Sequence, residues 1–482
     1  MKKKILSLIF ALVCLFAFVG CGGTGRPSGN DGNTIENPWW TTEGTLQKEN
    51  GEVVFDEVEI DLTTVVNGED LAAFNQIIAQ FNAEYRGKIS VLTTSINQDT
   101  FETTVGQQII NNSNAPDLIM SHQKGHKAFA ANNLIQPFDE AMEESGIEIS
   151  MNDYSAGLAQ YSDLGYEGYT FGIPADAQSM VVYYNKNLLS KYGNQLPSTH
   201  SELIELCERV AKGENIKPIA ATTSLGFFPD YVFSTAIVQN GGELYDEKTY
   251  YANWASDAEN LQAFKAAAQS LRDIFYHTPT LSELNKSEAE SLNNFLNDKA
   301  LFLFGLPWNL NSILEAYGQG HGNLTMDAVK ENYIGAASVA NWFALESGTE
   351  DGNKIFGDSH FFAISNTVTD INKKAAICEF VKWFTQTGSV GTDWAEAGHI
   401  SASTIIANDP EYTGNSVVTD YIIPFYQDIN YFVCAGNTPY YTDMATQIRT
   451  LFVDLMSEST GEKDESIIKS AQDSLNAVID FF

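Results

Sequence analysis

Apolar positions along this chain follow two periods that alternate from Val58 onward. Val58 to Leu62 sets apolar residues against acidic ones, the two-residue period of a strand with one buried face. Asn67-Gly68-Glu69-Asp70 then supplies turn residues and first-turn acids, and Leu71, Phe74, Ile78, Phe81 and Tyr85 line one face of a helix. Ile89 to Leu92 predicts a second strand. Phe101, Val105 and Ile109 mark a second helix, and Asp117-Leu118-Ile119-Met120 a third strand that is almost wholly apolar. Strand, helix, strand, helix, strand is the order of a parallel sheet with helices on its faces.

The same grammar recurs. Met180 to Tyr184 and Pro218 to Thr222 read as strands, with a helix between them on Leu203, Leu206, Cys207 and Val210 after the start signal Pro197-Ser198-Thr199. Leu261, Phe264, Ala268, Leu271 and Phe275 line another helix. Leu301 to Phe304 and Phe361 to Ile364 are apolar strands, the second followed by a helix bearing Ile377, Phe380, Val381 and Phe384. Helices around Ile448-Leu451-Phe452-Leu455 and Ile468-Ala471-Leu475-Val478 close the chain. No short-period repeat appears, and this many elements require two α/β sheets.

The first 21 residues follow another rule. Lys2, Lys3 and Lys4 precede an apolar stretch from Ile5 to Val19, and Phe18-Val19-Gly20-Cys21 ends it. A basic start, an apolar middle and a small residue before the cut make an export signal. A cysteine directly after the small residue is the pattern of a bacterial lipoprotein, whose thiol receives the lipid, although leucine is commoner where Phe18 stands. The apolar stretch of 15 residues is too short to span a bilayer, which takes about 20. Cys21 is therefore the expected lipid attachment site after removal of residues 1–20. Residues 21–55 are expected as a flexible linker, Gly-, Asn- and Pro-rich through residue 38. Trp39 and Trp40 stand out in it, suited either to a partner or to folding back on the body.

The 482 residues carry 27 basic and 62 acidic side chains, a net charge of −35. Such a surface excludes nucleic acid and anionic lipid headgroups as partners, since both need a basic face. Of five cysteines, Cys14 leaves with the signal, and Cys207 and Cys378 sit on apolar helix faces, so no disulfide framework is implied.

The ordered set Phe74 to Tyr85, Asn114-Ala115-Pro116-Asp117-Leu118-Ile119, Asn133-Leu134-Ile135-Gln136-Pro137-Phe138-Asp139, Gly168-Tyr169-Thr170-Phe171-Gly172-Ile173-Pro174, Val181-Val182-Tyr183-Tyr184-Asn185-Lys186, Gly305-Leu306-Pro307-Trp308 and Phe361-Phe362-Ala363-Ile364-Ser365 resembles family 1 extracellular solute-binding proteins. These are the maltose-binding-protein-like receptors of ABC importers. The resemblance covers about residues 57–482. It implies a class II periplasmic-binding-protein-like fold, two α/β lobes with mostly parallel sheets and a ligand cleft between them. With three crossings of the chain, lobe 1 is expected at 56–170 plus 355–399 and lobe 2 at 171–354 plus 400–482.

Under that resemblance the cleft has identifiable walls. Asn67, Glu69 and Asp70 follow the first strand, at the sheet edge where open α/β folds bind ligands; helix capping is an equal reading for Asp70. Ser121, His122, Gln123 and Lys124 follow the third strand at the equivalent edge. Asp176 and Gln178 lie just past the first crossing, placed to hydrogen-bond a ligand hydroxyl. Tyr231 aligns with an aromatic residue that contacts sugar in the maltose receptor, with Asp230 as its polar neighbour. Trp308 falls where that receptor stacks a tryptophan on the sugar. Tyr440 and Tyr441 precede a helix that presents another aromatic there, but Ala445 occupies the aligned position here. A flat aromatic covers the C–H face of a pyranose, and carboxylates and amides bind its hydroxyl rim.

Signals for catalysis are weak. His122 and His126 have the spacing of a zinc protease helix, but Gln123 replaces the glutamate base and Gly125 weakens the helix. No Gly-x-Ser-x-Gly elbow is present. The expectation is a monomeric, lipid-anchored receptor on the outer face of the bacterial cytoplasmic membrane. It binds a carbohydrate, delivers it to ABC permease subunits, and uses no metal or cofactor. A receptor for another small polar solute, or a secreted glycan-active hydrolase, are the alternatives.

Overall fold

The computed structural model describes residues 35, 38–213, 216–221, 228–276, 288–422 and 429–481. The signal segment and Cys21 lie outside the described residues, as does Thr222 at the end of one expected strand.

Two sheets carry the molecule. The first contains β1 (Val58–Thr64), β2 (Ile89–Ser95), β3 (Leu118–His122) and β4 (Ile135–Gln136). It is completed by β5 (Ile173–Pro174) and, later in the chain, by the strand His360–Ser365. The second contains β7 (Val181–Asn185), β8 (Lys217–Ala220), β9 (Ala300–Gly305) and β10 (Ile334–Ala337). Four short strands join them as two pairs: β6 (Asp176–Ala177) with β13 (Ile400–Ser401), and β11 (Ile355–Phe356) with β14 (Phe432–Val433). The strand His360–Ser365 is β12. The sheet orders are β2-β1-β3-β12-β4, with β5 also on β12, and β8-β9-β7-β10.

In each sheet a single strand runs against the rest. β12 is antiparallel to β3, β4 and β5, and β7 is antiparallel to β9 and β10. The others arrive through helical crossovers, which keep strands parallel, whereas β7 and β12 enter directly from segments that pass between the sheets. The mostly parallel architecture expected from the sequence therefore holds with one reversed strand per sheet.

The apolar run in β3 reflects burial on both faces. Leu118 and Met120 join Phe362 and Ile364 of β12 in the core under α1 (Gly68–Glu84), where Phe74, Ile77 and Phe81 are fully buried. Ile119 and Ala363 point the other way, to a second cluster with Phe101, Val105 and Ile109 of α2 (Phe101–Ile110) and with Phe129, Ile135 and Phe171. The ladder continues to the pair His360 and His122, so Ser121 and His122 are strand residues rather than members of a following loop. Gln123 and Lys124 open α3 (Gln123–Ala131), which forms despite Gly125.

Further helices are α4 (His200–Ala211), α5 (Ala258–Tyr276), α6 (Leu310–Gly320), α7 (Ile371–Gln386), α8 (Gly388–Glu396), α9 (Tyr441–Ser457) and α10 (Asp464–Phe481), all at expected periods except α6 and α8, for which the sequence reading named none. Cys207, Cys378 and Cys434 are free and buried.

The expected flexible linker ends earlier than residue 55. Trp39 stacks on Phe171 at 5.8 Å and donates its indole N–H to the Ile135 carbonyl at 2.9 Å. Trp40 packs edge-on against Trp39 and Tyr169. Lys374 donates to the Thr41 carbonyl and the Thr42 hydroxyl, and a small hairpin pairs Lys48–Glu49 with Glu52–Val53. Two indoles in sequence bring more apolar area than a solvated tether leaves exposed, and they fold back on the body.

Candidate functional site

Three extended segments lie side by side where the chain passes between the sheets. Asp176 and Ala177 pair with Ser401 and Ile400, and Gln178 bridges to Asp358. The side chains around them form one polar chain with a group at each end.

At one end is Lys124. Its ammonium lies 2.8 Å from an Asp358 oxygen and 5.1 Å from the centroid of the Tyr441 ring. His122 Nδ1 is 3.2 Å from the same oxygen and 3.3 Å from the Gln178 amide nitrogen. Burial alone works to lower the affinity of Lys124 for its proton, but the Asp358 carboxylate outweighs it, helped by the Tyr441 and Tyr231 hydroxyls, and holds the ammonium charged. Burial acts to raise Asp358 as well, and Lys124 and His122 hold it well below the usual carboxylate range. His122 is pushed down to about 4, first by burial, and is neutral near pH 7. Gln123 donates to the Gly436 carbonyl at 3.1 Å and to the Asn437 side-chain oxygen at 3.2 Å. Asp230 sits next to Tyr231 and forms a two-pronged ion pair with Arg449. Tyr441 is the first residue of α9, and Tyr440 holds its N-cap position. Burial drives Tyr441 up to about 12, so its hydroxyl stays protonated.

At the other end is an open pocket of about 200 Å³. It is lined by Asp70, Ala73 and Gln76 of α1, Trp308 and Asn311, and Asp393, Glu396 and Ala397. Trp308 follows β9 on a short 3₁₀ turn whose first residue is Pro307, so the strand stops and the indole leaves the sheet. Its backbone is pressed against Gly398, whose φ is +102°; a Cβ there would stand 2.5 Å from the Trp308 nitrogen.

The two ends are joined through buried groups. His122 stacks on His360 at 5.0 Å. His360 donates its backbone N–H and its Nδ1–H to the two oxygens of Asp176, at 2.8 and 2.7 Å. Trp394 donates its indole N–H to Asp176 at 2.8 Å. His399 Nδ1 is 3.3 Å from Asp176, and its Nε2 is 3.4 Å from Asp70. Burial opposes charge on His399, yet its contacts with Asp176 and Asp70 raise it to about 9. Burial likewise opposes charge on Asp176, which His360 and His399 keep ionised to well below the usual range.

Asp176, His360 and His399 place ligand-type atoms within 4.8 Å of one another, the geometric minimum for a metal cluster. The 2.7 Å contact between His360 and Asp176 is a hydrogen bond, and Trp394 donates to the same oxygen. Asp176 and His360 are thus joined by a hydrogen bond, while His399 stands at ion-pair distance without one.

Two residues expected to face ligand do not. Asp176 is fully buried and its oxygens are occupied by protein donors, and the Ser121 hydroxyl is bonded to His126 Nε2 at 2.9 Å inside the core. Asn67 holds the N-cap position of α1, but its amide donates to the Val65 carbonyl; Glu69 lies in the first turn beside it. His122, Gln123, Lys124, Gln178, Tyr231, Asp230 and Tyr441 gather at one end, and Asp70 and Trp308 at the other. Sequence reasoning missed Asp358, His360, Trp394, His399 and Arg449. The polar run Asp358-Ser359-His360 leading into β12 was the available signal.

A sequence profile of the bacterial extracellular solute-binding proteins matches residues 66–390. The sn-glycerol-3-phosphate-binding periplasmic protein UgpB of Shigella flexneri is 24% identical over 155 residues, which is 32% of this chain and 35% of that protein. The chain thus matches about a third of the length of these curated relatives. Among solved structures, the GacH receptor of Streptomyces glaucescens, determined unliganded and with acarbose, superposes with a TM-score of 0.65 at 16% identity, covering 88% of this chain and 99% of that one. The cyclic alpha-maltosyl-1,6-maltose binding protein of Arthrobacter globiformis gives 0.67 at 15% identity, covering 88% and 100%. Identities this low show a shared two-lobe fold and nothing finer. With the profile spanning more than half of its residues, the chain belongs to the bacterial extracellular solute-binding proteins.

Proposed function

We propose that this protein is a lipid-anchored receptor that captures a sugar or oligosaccharide outside the cytoplasmic membrane and hands it to an ABC permease. The observation that carries the reading is the wall of the open pocket: one half-buried indole, Trp308, among Asp70, Gln76, Asn311, Asp393 and Glu396. An aromatic face ringed by carboxylates and amides suits a pyranose, which offers C–H groups to the first and hydroxyls to the second. The saccharides named for the solved structures agree with it. Three carboxylates and no cation line the pocket, which disfavours a phosphate ester such as the UgpB relatives bind.

In this reading residues 56–170 with 355–399 form one lobe, and 171–354 with 400–482 the other. The crossing segments act as the hinge, and ligand contacts to both lobes favour the closed form. Cys21 carries the lipid. Thermal shift and calorimetry on a panel of neutral oligosaccharides, sugar phosphates and polyamines test the assignment. A neutral saccharide is expected to bind and to be recovered intact. Binding of only phosphorylated or cationic solutes, or recovery of cleaved glycan, rejects it.

A further inference from the structure

His399 makes contacts that neither its burial nor its place after a helix requires. Its ring lies parallel to Trp394, with centroids 4.0 Å apart and planes 6° apart, and parallel to Trp308 on a second contact, at 6.2 Å and 11°. Its Nδ1 lies 3.3 Å from Asp176 in the crossing segments and its Nε2 3.4 Å from Asp70 in the pocket, within ion-pair reach although neither contact has hydrogen-bond geometry.

The partners come from different parts of the fold. Asp70 is on α1, against which α8 packs, and α1 covers the first sheet. Trp308 follows β9 of the second sheet, and its backbone rests on Gly398, a contact that only a residue without a Cβ permits. Glycine and histidine at 398 and 399 thus meet Trp308 with backbone and ring in succession.

We propose that His399 is the positioning residue of the ligand wall: its ring lies between Asp176 of the crossing segments and Asp70 of α1, and together with the Gly398 backbone it holds Trp308, which follows the second sheet, in place. The proposal rests on reading this pocket as the ligand site. The titratable groups around the ring are Asp70 from α1, Asp176 from β6 and His360 from β12, with Asp393 and Glu396 on α8 facing the pocket. Two carboxylates against one imidazole favour the charged ring, in agreement with its elevation to about 9.

The test uses the purified, ligand-free full chain. A protonated imidazole stacked on indole quenches its fluorescence more than a neutral one. Tryptophan emission is therefore expected to rise in one step with a midpoint near pH 9. His399→Gln should abolish the step. Asp70→Asn should keep its amplitude and lower its midpoint by about one pH unit, because one of the two charges is gone. Gly398→Ala should do the reverse, reducing the amplitude by displacing Trp308 while the midpoint holds. A step that persists in His399→Gln, or a midpoint unmoved by Asp70→Asn, overturns the proposal. The Asp70 variant decides the matter even where His399→Gln does not fold. Failure of every saccharide to bind would reject the receptor reading and leave this titration standing, so the two fail separately.

Discussion

The Lys124 ammonium and the Asp358 carboxylate form a 2.8 Å ion pair where α3 meets the crossing segments. The Asp358 side chain is 5% exposed and that of Lys124 25%, so removing either partner strands a charge in a poorly solvated place. Asp358→Asn is expected to cost about 3 kcal/mol of folding stability. Lys124→Met should cost a similar amount, and the double variant much less than the sum. Urea denaturation of the four proteins measures the coupling. Strictly additive losses would mean that the pair is a surface contact of no consequence.

Trp308→Ala separates binding from folding. The indole lines the pocket and is half-buried, while the core beneath it is built from residues such as Phe302, Phe304 and Leu310. Affinity for the saccharide found by screening should fall by roughly 2 kcal/mol or more, the scale of an aromatic hot spot. Stability should change by less than about 1 kcal/mol, against the ~3–5 kcal/mol of a core tryptophan. Unaltered affinity with a large loss of stability would make Trp308 a packing residue.

Stability should peak near neutral pH, and the two limbs have different owners. His399 is raised from its ordinary 6.5 to about 9, so its contribution is full below about pH 6.5 and is lost as pH rises through 9. His122 and His126 are lowered to about 4 and about 3, chiefly by burial. Their neutral forms favour the fold above pH 6.5, and this contribution disappears as pH falls through those values. Asp176 and Asp358, held below the usual carboxylate range, add to the acid limb below about pH 4. Thermal melts across pH 3 to 10 are expected to trace a dome. A melting temperature still climbing at pH 9 would contradict the assignment of His399.

The sequence made the elements legible because both sheets are covered on two faces. Near-continuous apolar runs such as Leu118 to Met120 and Leu301 to Phe304 then have no other use. The aromatic wall was legible for a local reason: Gly305 and Pro307 end β9 and leave Trp308 outside the ladder. The chain of polar groups between the sheets was not. Asp70, Asp176, Asp358, His360 and His399 are up to 329 positions apart and meet only because the chain passes repeatedly between the sheets. Periodicity says nothing about which strand ends converge, so Asp176 read as a ligand group although its oxygens face His360 and Trp394.

The membrane anchor is tested at Cys21. On the lipoprotein reading, Cys21→Ser should leave the protein without its acyl group and without its stable membrane fraction, because the thiol that would carry the lipid is gone. A wild-type mature terminus well beyond Cys21 would contradict the lipoprotein reading.

The segment after the expected tether should behave as part of the folded body. Trp39 contributes a stacked contact with Phe171 and a hydrogen bond to Ile135, and Lys374, itself buried, fixes the next two residues through the Thr41 carbonyl and the Thr42 hydroxyl. Ile135 is on the first sheet, Lys374 on α7, and Phe171 packs in the cluster against that sheet. Because Trp39 is only half-buried, Trp39→Ala should cost about 2 kcal/mol, below the range for a fully enclosed aromatic. Lys374→Met should release the same strap without removing apolar area. Limited proteolysis then reads local opening directly: cleavage between residues 40 and 55 should be slow in the wild type and faster in both variants, since proteolysis tracks the population of the opened segment. Rapid cleavage in the wild-type protein would mean that the indoles do not hold the strap down, and the linker would then extend to residue 55 as the composition first suggested.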